Sequence, residues 1–503
     1  MPISILLLCV FAFVPSLYAA PKGLYLNCGS TKEETINGIK WVPDNVYIKT
    51  GNVSEIKTPG IIPVLSSVRY FPDTSARKSC FEIRRLVRRK RYLVRTTYYY
   101  GAFDGGKEPP IFDQIIDGTK WSTVDTSSNY AKGLSSYYEI IVQAAKRAIT
   151  ICLARNNKTA SSPFISTLEV IDMEDSMYNA TDFGHNALST IARYRFGHSE
   201  FMSYPDDPYN RYWMPLNDPK RLTVDCAFNI TSTDIWNMPP AKALSKGFTE
   251  SKGKELIINW PAMNLPASSY YVALYFQDNR NPSPYSWRVF DVKVNNQTFY
   301  SGLNASTKGV MVYGKQWPLS GQTEIRLTPA ANMDKGPLIN AGEIYQIVTI
   351  GPRTHPKEAI SMTRLAREFQ NPPSDWSGDP CLPQGYSWTG VTCAVLNVNY
   401  YKIVSLNLTN LGISGTLSQS IGRLTSIESI DVSNNKLSGP IPDAFKSLAG
   451  LVSLRLENNG FKGPIPPSLA DLPKLKELHL QNNQLEGQVP DAVRNKPGID
   501  IRT

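Results

Sequence analysis

Residues 424–490 repeat one apolar pattern every 24 positions, and this feature limits the fold more than any other. Leu424, Ile427, Ile430, Val432, Asn435, Leu437, Gly439, Ile441 and Pro442 are matched by Leu448, Leu451, Leu454, Leu456, Asn459, Phe461, Gly463, Ile465 and Pro466. Leu472, Leu475, Leu478, Leu480, Asn483, Leu485, Gly487, Val489 and Pro490 follow at the same spacing. A degenerate first unit holds Ile403, Leu406, Leu408, Ile413, Gly415 and Leu417, with Leu411 at the asparagine position. A unit this short cannot bury its apolar face alone, so successive units must stack into a solenoid with covered ends.

The pattern is that of a leucine-rich repeat, and the Gly-x-Ile-Pro ending resembles the plant extracellular variety. The asparagine is expected to satisfy backbone groups where each coil turns. Ahead of the repeats stands WSGDPCLPQGYSWTGVTC, residues 376–393. We read it as the cap of the stack: Cys381 and Cys393 close a short loop, contributing about 3 kcal/mol, and Trp376 and Trp388 lie over the exposed end. Leu365 and Phe369 fall four apart and suggest a short amphipathic helix in the same cap. The outward positions of the strands form a polar column, Asn407, Asp431, Arg455 and His479; we take Asp431, Arg455 and His479 as partner-docking candidates. The alternative is a plain spacer. Asp491–Thr503 is read as a short polar cover.

The first 20 residues carry an uncharged apolar run, Ile3 to Val14, then Pro15 and small residues at Ala19 and Ala20, the layout of a secretory signal peptide. No later segment has the length and apolarity of a membrane span. Six cysteines remain after residue 20, Cys28, Cys80, Cys152, Cys226, Cys381 and Cys393, an even number that suits an oxidising compartment. Three pairings of the first four stay open, as does a free buried thiol, Cys152 above all. Seven Asn-x-Ser/Thr sequons, at Asn52, Asn157, Asn179, Asn229, Asn296, Asn304 and Asn407, point to a glycoprotein. The expectation is a secreted protein of the cell wall or apoplast.

Residues 23–350 alternate short apolar runs with turn residues, an all-β pattern. It also repeats internally. Tyr92 and Val94 correspond to Tyr270 and Val272, Phe112-Asp113 to Phe290-Asp291, and PFISTLEV (163–170) to PLINAGEI (337–344). Two homologous β-sandwiches explain these offsets. The stretches RYFPDTSARKSC, RYLVRTTYYYGAFDG, YPDDPYNRYW and GPLINAGEIY resemble the malectin-like ectodomain of plants. With GDPC…GVTC and the repeats behind them, the chain is similar to the malectin-like/leucine-rich-repeat ectodomains of plant receptor-like proteins and kinases. The fold this implies is mainly β: tandem malectin-like β-sandwiches followed by a short plant-type leucine-rich-repeat solenoid with an N-terminal disulfide cap. The expected division is signal peptide 1–20, sandwiches 23–180 and 185–350, linker 351–364, cap 365–399, four repeats 400–490 and C-terminal cover 491–503.

The resemblance implies a non-enzymatic binding protein, its sandwiches recognising a carbohydrate or protein ligand and its repeats docking a receptor or co-receptor. Tyr285 and Trp287 stand in the loop where animal malectin places sugar-contacting aromatics. Tyr99, Tyr100 and Phe103, beside a glycine-rich loop, offer flat apolar faces to a sugar ring. RRLVRRKR gathers Arg84, Arg85, Arg88, Arg89, Lys90 and Arg91 in a chain of net charge +10. Arg88, Arg89 and Lys90 are candidates for an acidic polysaccharide such as pectin; the alternatives are a solvated hairpin end and a processing site. Four scattered histidines and the absence of zinc spacing, G-x-S-x-G or a phosphate loop give no expectation of a cofactor or metal, and nucleic acid is not the expected partner of a secreted chain. The competing readings are a secreted carbohydrate-active enzyme, with convergent carboxylates in a deep cleft, and a structural wall glycoprotein.

Overall fold

A computed structural model describes residues 20–106, 108–226, 235–278 and 288–503. The signal segment, the sequon at Asn229, and Tyr285 and Trp287 lie outside them.

One eleven-stranded sheet runs through both sandwiches. Its first half orders Gly23–Asn27, Thr167–Asp172, Arg91–Tyr98 and Ser136–Gln143; its second continues with Asn186–Phe196, Ala341–Thr349, Leu265–Phe276 and Val310–Gly321. The halves join edge to edge, Ile140 opposite Ser189 and Ile141 opposite Leu188. Each half faces its own four-stranded sheet. Ser79–Arg84, Ala148–Arg155, Phe112–Ile116 and Thr119–Val124 close the first sandwich; Leu256–Asn259, Glu324–Pro329, Val289–Val294 and Gln297–Asn304 close the second. Alternation along each strand sends one set of apolar side chains into these cores, such as Val94, Ile140 and Phe164 in the first and Val272, Phe290 and Ile344 in the second.

The other face of the long sheet is not left to solvent. Met173, Met177, Met202, Trp213, Ile235 and Leu244 lie over it as a third layer, against Leu93, Ile141, Leu188, Tyr271 and Tyr345. Beneath this layer, at the join, sits a buried charged seam. Arg95 is 2.6 Å from Glu139 and 2.8 Å from Glu169. Arg193 is 2.7 Å from the other oxygen of Glu139 and 2.8 Å from Glu343. Tyr275 and Tyr345 donate to Glu343 at 2.6 Å each. Burial pushes the Glu139 carboxyl up, but Arg193 and Arg95 pull it further the other way and hold it below its usual range. Glu169, with Arg95 as its single arginine and Asn210 donating to it at 3.0 Å, ends above its usual range because burial wins.

The chain leaves the second sandwich next to the first. The stretch expected as a linker is ordered: Arg353–Thr354 joins the repeat sheet and Pro356–Glu368 is a helix with Met362 and Leu365 buried. Trp376 and Trp388 stack at 5.2 Å over the end of the repeats, and Cys381 is bonded to Cys393. This cap rests on the first sandwich. Lys78, buried, donates to the carbonyls of Asp379 and Leu382 at 2.6 Å each. Burial lowers its pKa to about 8, against the opposing pull of Asp379 and Asp375. Tyr386 donates to Asp113 at 2.9 Å. Gly378 lies on the Cys80–Cys152 disulfide, where a Cβ would stand 2.8 Å from Cys80 Sγ. Cys152 is therefore not a free thiol: it faces Cys80 across neighbouring antiparallel strands. Among the described residues the free thiols are Cys28 and Cys226, both buried.

In the repeats, the parallel strands Ser429–Asp431, Ser453–Arg455 and Glu477–His479 follow Tyr400–Asn407. The Gly-x-Ile-Pro arms make a second parallel sheet, Ser414–Thr416, Lys436–Pro440, Gly460–Pro464 and Gln484–Glu486. Asn459 shows why the asparagine recurs: its amide donates to the carbonyls of Val432 and Leu456 at 3.0 and 3.2 Å and its oxygen accepts from Leu437 N at 3.0 Å. The residue before it is also asparagine, left-handed in each coil, and Asn458 donates to Asn434 at 2.8 Å. The C-terminal stretch is more than a polar cover. Asp491–Arg494 is helical and Asp500–Arg502 adds a further parallel strand, Arg502 beside His479.

Candidate functional site

The basic cluster does not form a hairpin end. Ser79–Arg84 and Arg91–Tyr98 belong to opposite sheets of the first sandwich, and residues 85–90 cross between them. The crossing is fixed to the turn at 144–147: Leu86 N donates to Arg147 O at 3.1 Å, Arg89 N to Ala144 O at 2.7 Å, and Ala144 N to Lys90 O at 3.0 Å. Arg85 and Arg89 take φ of 66° and 67°, a conformation that costs about 1–3 kcal/mol each in a non-glycine residue. The tethers hold the loop in place despite that cost and despite the charges it gathers.

The outcome is a shelf of Arg84, Arg85, Arg88, Arg89, Lys146 and Arg147, all exposed. Arg84 pairs with Glu82 at 2.6 Å; the other five make no ion pair with a described carboxylate. Lys90 and Arg91 do not belong to it. Lys90 is held by Asp172 at 2.8 Å, and Arg91 donates to the carbonyls of Asp175 and Met177 and lies over Phe183. Lys146 and Arg147 escaped the sequence reading because they stand about 60 residues from the cluster that they complete.

The tyrosine run is core. Tyr100 is 1% exposed and Tyr99 is buried; Ile56, from a segment folded over the strand end, lies beside Tyr99 and Gly101. Phe103 is half-buried between Tyr70, Tyr100 and Phe164. Alternation alone would free one tyrosine face, but the covering segment closes both. The aromatic surface lies elsewhere. Trp236, 54% exposed, stacks at 5.5 Å on Tyr313, 38% exposed, which stacks at 5.9 Å on buried Tyr271. The turn that carries Trp236 is anchored by Arg211, which donates to Asn237 O and Met238 O.

On the concave face of the repeats Arg455 and His479 of the polar column are already paired with neighbouring carboxylates. Arg455 reaches Glu457 at 2.9 Å, Asp431 at 3.8 Å and Glu477 at 3.9 Å. His479 is 2% exposed, its Nε2 3.3 Å from Asp500 and 3.4 Å from Glu477. Of the three docking candidates only Arg455 is substantially open; the added C-terminal strand covers His479. The six described sequon asparagines are all exposed. The buried carboxylates Asp44, Glu139, Asp207, Asp278 and Glu343 each meet a buried arginine at 3.1 Å or less, and buried Asp113 meets Lys120 at 2.7 Å. Among the described residues no cluster of His, Cys, Asp and Glu could hold a metal ion, and no helix is long and apolar enough to cross a membrane.

The comparisons with known proteins agree with this architecture. The model of the malectin-like domain matches residues 26–347 and that of the leucine-rich repeat residues 425–485. A probable leucine-rich-repeat receptor-like protein kinase of Arabidopsis thaliana is 28% identical over 438 residues, covering 84% of this chain and 49% of its own length. The probable receptor-like serine/threonine-protein kinase PAM74 of the same plant is 27% identical over 448 residues, covering 84% and 49%. The chain thus spans about half the length of the curated relatives it matches. Among solved structures, the ANX2 ectodomain from Arabidopsis thaliana superposes with a TM-score of 0.55 at 17% identity, covering 65% of this chain and 97% of that one. A structure of the plant peptide RALF23 in complex with FER and LLG2 gives 0.53 at 16%, covering 65% and 96%. At such identities the likeness is one of fold.

Proposed function

The chain belongs to the malectin-like domain family, and from that membership we propose that it is a non-enzymatic extracellular recognition module of receptor-like signalling. It holds an acidic wall polysaccharide on the basic shelf of the first sandwich and a protein partner on its repeats. The observation that carries the polysaccharide reading is the shelf itself: five cations with no ion pair to a described carboxylate, fixed on two tethered loops. A polyanion with regularly spaced carboxylates would neutralise them together, and the rigid loops would lose little conformational freedom on binding. The protein reading is supported by the likeness to receptor-like kinases and by the FER complex, whose partners are a peptide and a second protein. The pairing of Asp44, Glu139, Asp207, Asp278 and Glu343 with arginine favours binding over glycoside cleavage, because it keeps these carboxylates engaged in ion pairs.

The test is retention on de-esterified pectin across a salt series. Wild type should be retained at low salt and released as salt rises, since screening shortens to about 8 Å at physiological ionic strength. Replacement of Arg88, Arg89 and Arg147 by Ser should abolish retention, whereas Lys90→Ser, which touches only the Asp172 pair, should leave it intact. Equal retention of wild type and the triple variant would remove the shelf from the function.

A further inference from the structure

Between the first sandwich and the repeat cap runs a polar groove of about 330 Å³, lined by Arg77, Gln384, Ser387, Thr392, Tyr401 and Asn407. We propose that this groove is the seat of an N-linked glycan carried by Asn407. The residue opens the sequon Asn407-Leu408-Thr409 and is exposed at the end of the strand Tyr400–Asn407. Its Oδ1 accepts from Thr409 N at 3.1 Å, which leaves the amide nitrogen as the group directed away from its own backbone. Of the six described sequons it is the one that lines this groove.

The lining suits a sugar. Arg77 spends one guanidinium nitrogen on Ser387, at 3.0 Å to the hydroxyl, and keeps further donors for hydroxyl or acetamido oxygens. Gln384 donates to the Tyr401 hydroxyl at 2.8 Å, leaving its own carbonyl oxygen as an acceptor. The half-buried Tyr401 offers a ring face to a pyranose. The floor is bare backbone at Gly390, φ +79°, where a Cβ would fall 2.2 Å from Asn407 O. Attachment is a transfer from a lipid-diphosphate-linked oligosaccharide. The Asn407 amide nitrogen forms a bond to C1 of the first N-acetylglucosamine, the C1–O bond to the diphosphate breaks, and the amide gives up one proton as the lipid diphosphate leaves. Seated there, the first sugars bridge Arg77 of the sandwich and Gln384 of the cap. A protein partner would then meet the concave face further along, toward Arg455.

This inference rests on the extracellular reading above, because only a chain passing through the secretory route meets that donor. The full chain is produced by secretion from plant cells, and glycopeptide mass spectrometry reads occupancy at each sequon. Peptide-N-glycosidase A is then applied to native and to denatured protein. The expected result is an occupied Asn407 whose glycan is released from native protein about tenfold more slowly than those on Asn157 and Asn296, since release there must await local opening, and equally fast after denaturation. Arg77→Ala with Tyr401→Ala should raise the native rate at Asn407 to that of the controls. Occupied controls with an empty Asn407, or native release as fast as at Asn157, would overturn the proposal and leave the extracellular reading standing. A secreted-route product with no sequon occupied would bring down both.

Discussion

The join between the two sandwiches and the joins between the repeats solve the same problem by opposite means. Each must bring separately folded pieces into one register. The sandwiches do so with Arg95, Glu139, Glu169, Arg193 and Glu343, a buried set in which every charge is matched to a named partner. The repeats do so with leucines at the same depth in every coil and an asparagine that makes the same bonds each time, as Asn435, Asn459 and Asn483 show. The ionic seam accepts one arrangement only, because a shift of one residue would leave a charge unpaired in the interior. The apolar stack is graded: losing one contact weakens one interface between neighbours. Buried ion pairs are poor sources of net stability, so the seam is better understood as a key for register than as a glue.

Three experiments sharpen or break that contrast. The largest effect is expected from Arg193→Leu, which takes the arginine from Glu343 and leaves Glu139 with Arg95 alone beneath the third layer. Removing one partner of a buried ion pair costs about 3–5 kcal/mol. Urea unfolding should show the whole sandwich region destabilised, with the repeat transition unmoved. A loss below that of an ordinary surface substitution would show that the seam is not what registers the halves. Asn459→Ala should cost less, about 1–3 kcal/mol for buried backbone groups left without partners. The loss should stay local, seen as faster amide exchange in the coils on either side of residue 459. Exchange rising equally throughout the sandwiches would contradict a stack of nearest-neighbour interfaces.

The smallest effect concerns acid. His198 follows the seam strand Asn186–Phe196, and burial, then Arg195, Lys246 and Lys242, lower its pKa from 6.5 to about 4. The unfolded chain therefore binds more protons than the folded one between those values. The stability that the neutral ring contributes is complete above pH 6.5 and is lost as pH falls toward 4. His198→Asn should flatten that part of the profile of the sandwich transition. A profile unchanged by the substitution would place the acid weakness elsewhere.

The repeats were legible in the sequence because their contacts recur at a fixed short interval, so the period itself is written in the order of residues. Their outer ends were less so: the strand Asp500–Arg502 contains only one apolar residue, Ile501, and no pattern marks it. The sandwiches were legible as a doubled β region, but the seam was hidden, since Arg95 and Glu169 stand 74 residues apart and Arg193 and Glu343 150. One trace existed. Aligning PFISTLEV with PLINAGEI sets Glu169 on Glu343, two carboxylates at matched, buried places in the two strands. The shelf was half visible as RRLVRRKR. Which of its charges are free depends on Asp172 and on the turn at 144–147, and both are brought to it only by the fold.

The chain visits the first sandwich, the second and then the repeats, yet the cap is seated on the first through Lys78, Tyr386 and the Gly378 contact with the disulfide. Gly351 N, at the exit from the second sandwich, is likewise held by Thr119 of the first at 2.9 Å. In mechanical terms the first sandwich is a second anchorage for the repeats, out of chain order. A pull on the repeats passes into the first sandwich through the contacts at residues 351–388, beside the covalent path into the strand Ala341–Thr349 of the second. Under the proposed function, the first sandwich, which carries the basic shelf, is the element that would bear load between a matrix polymer and whatever the repeats grip.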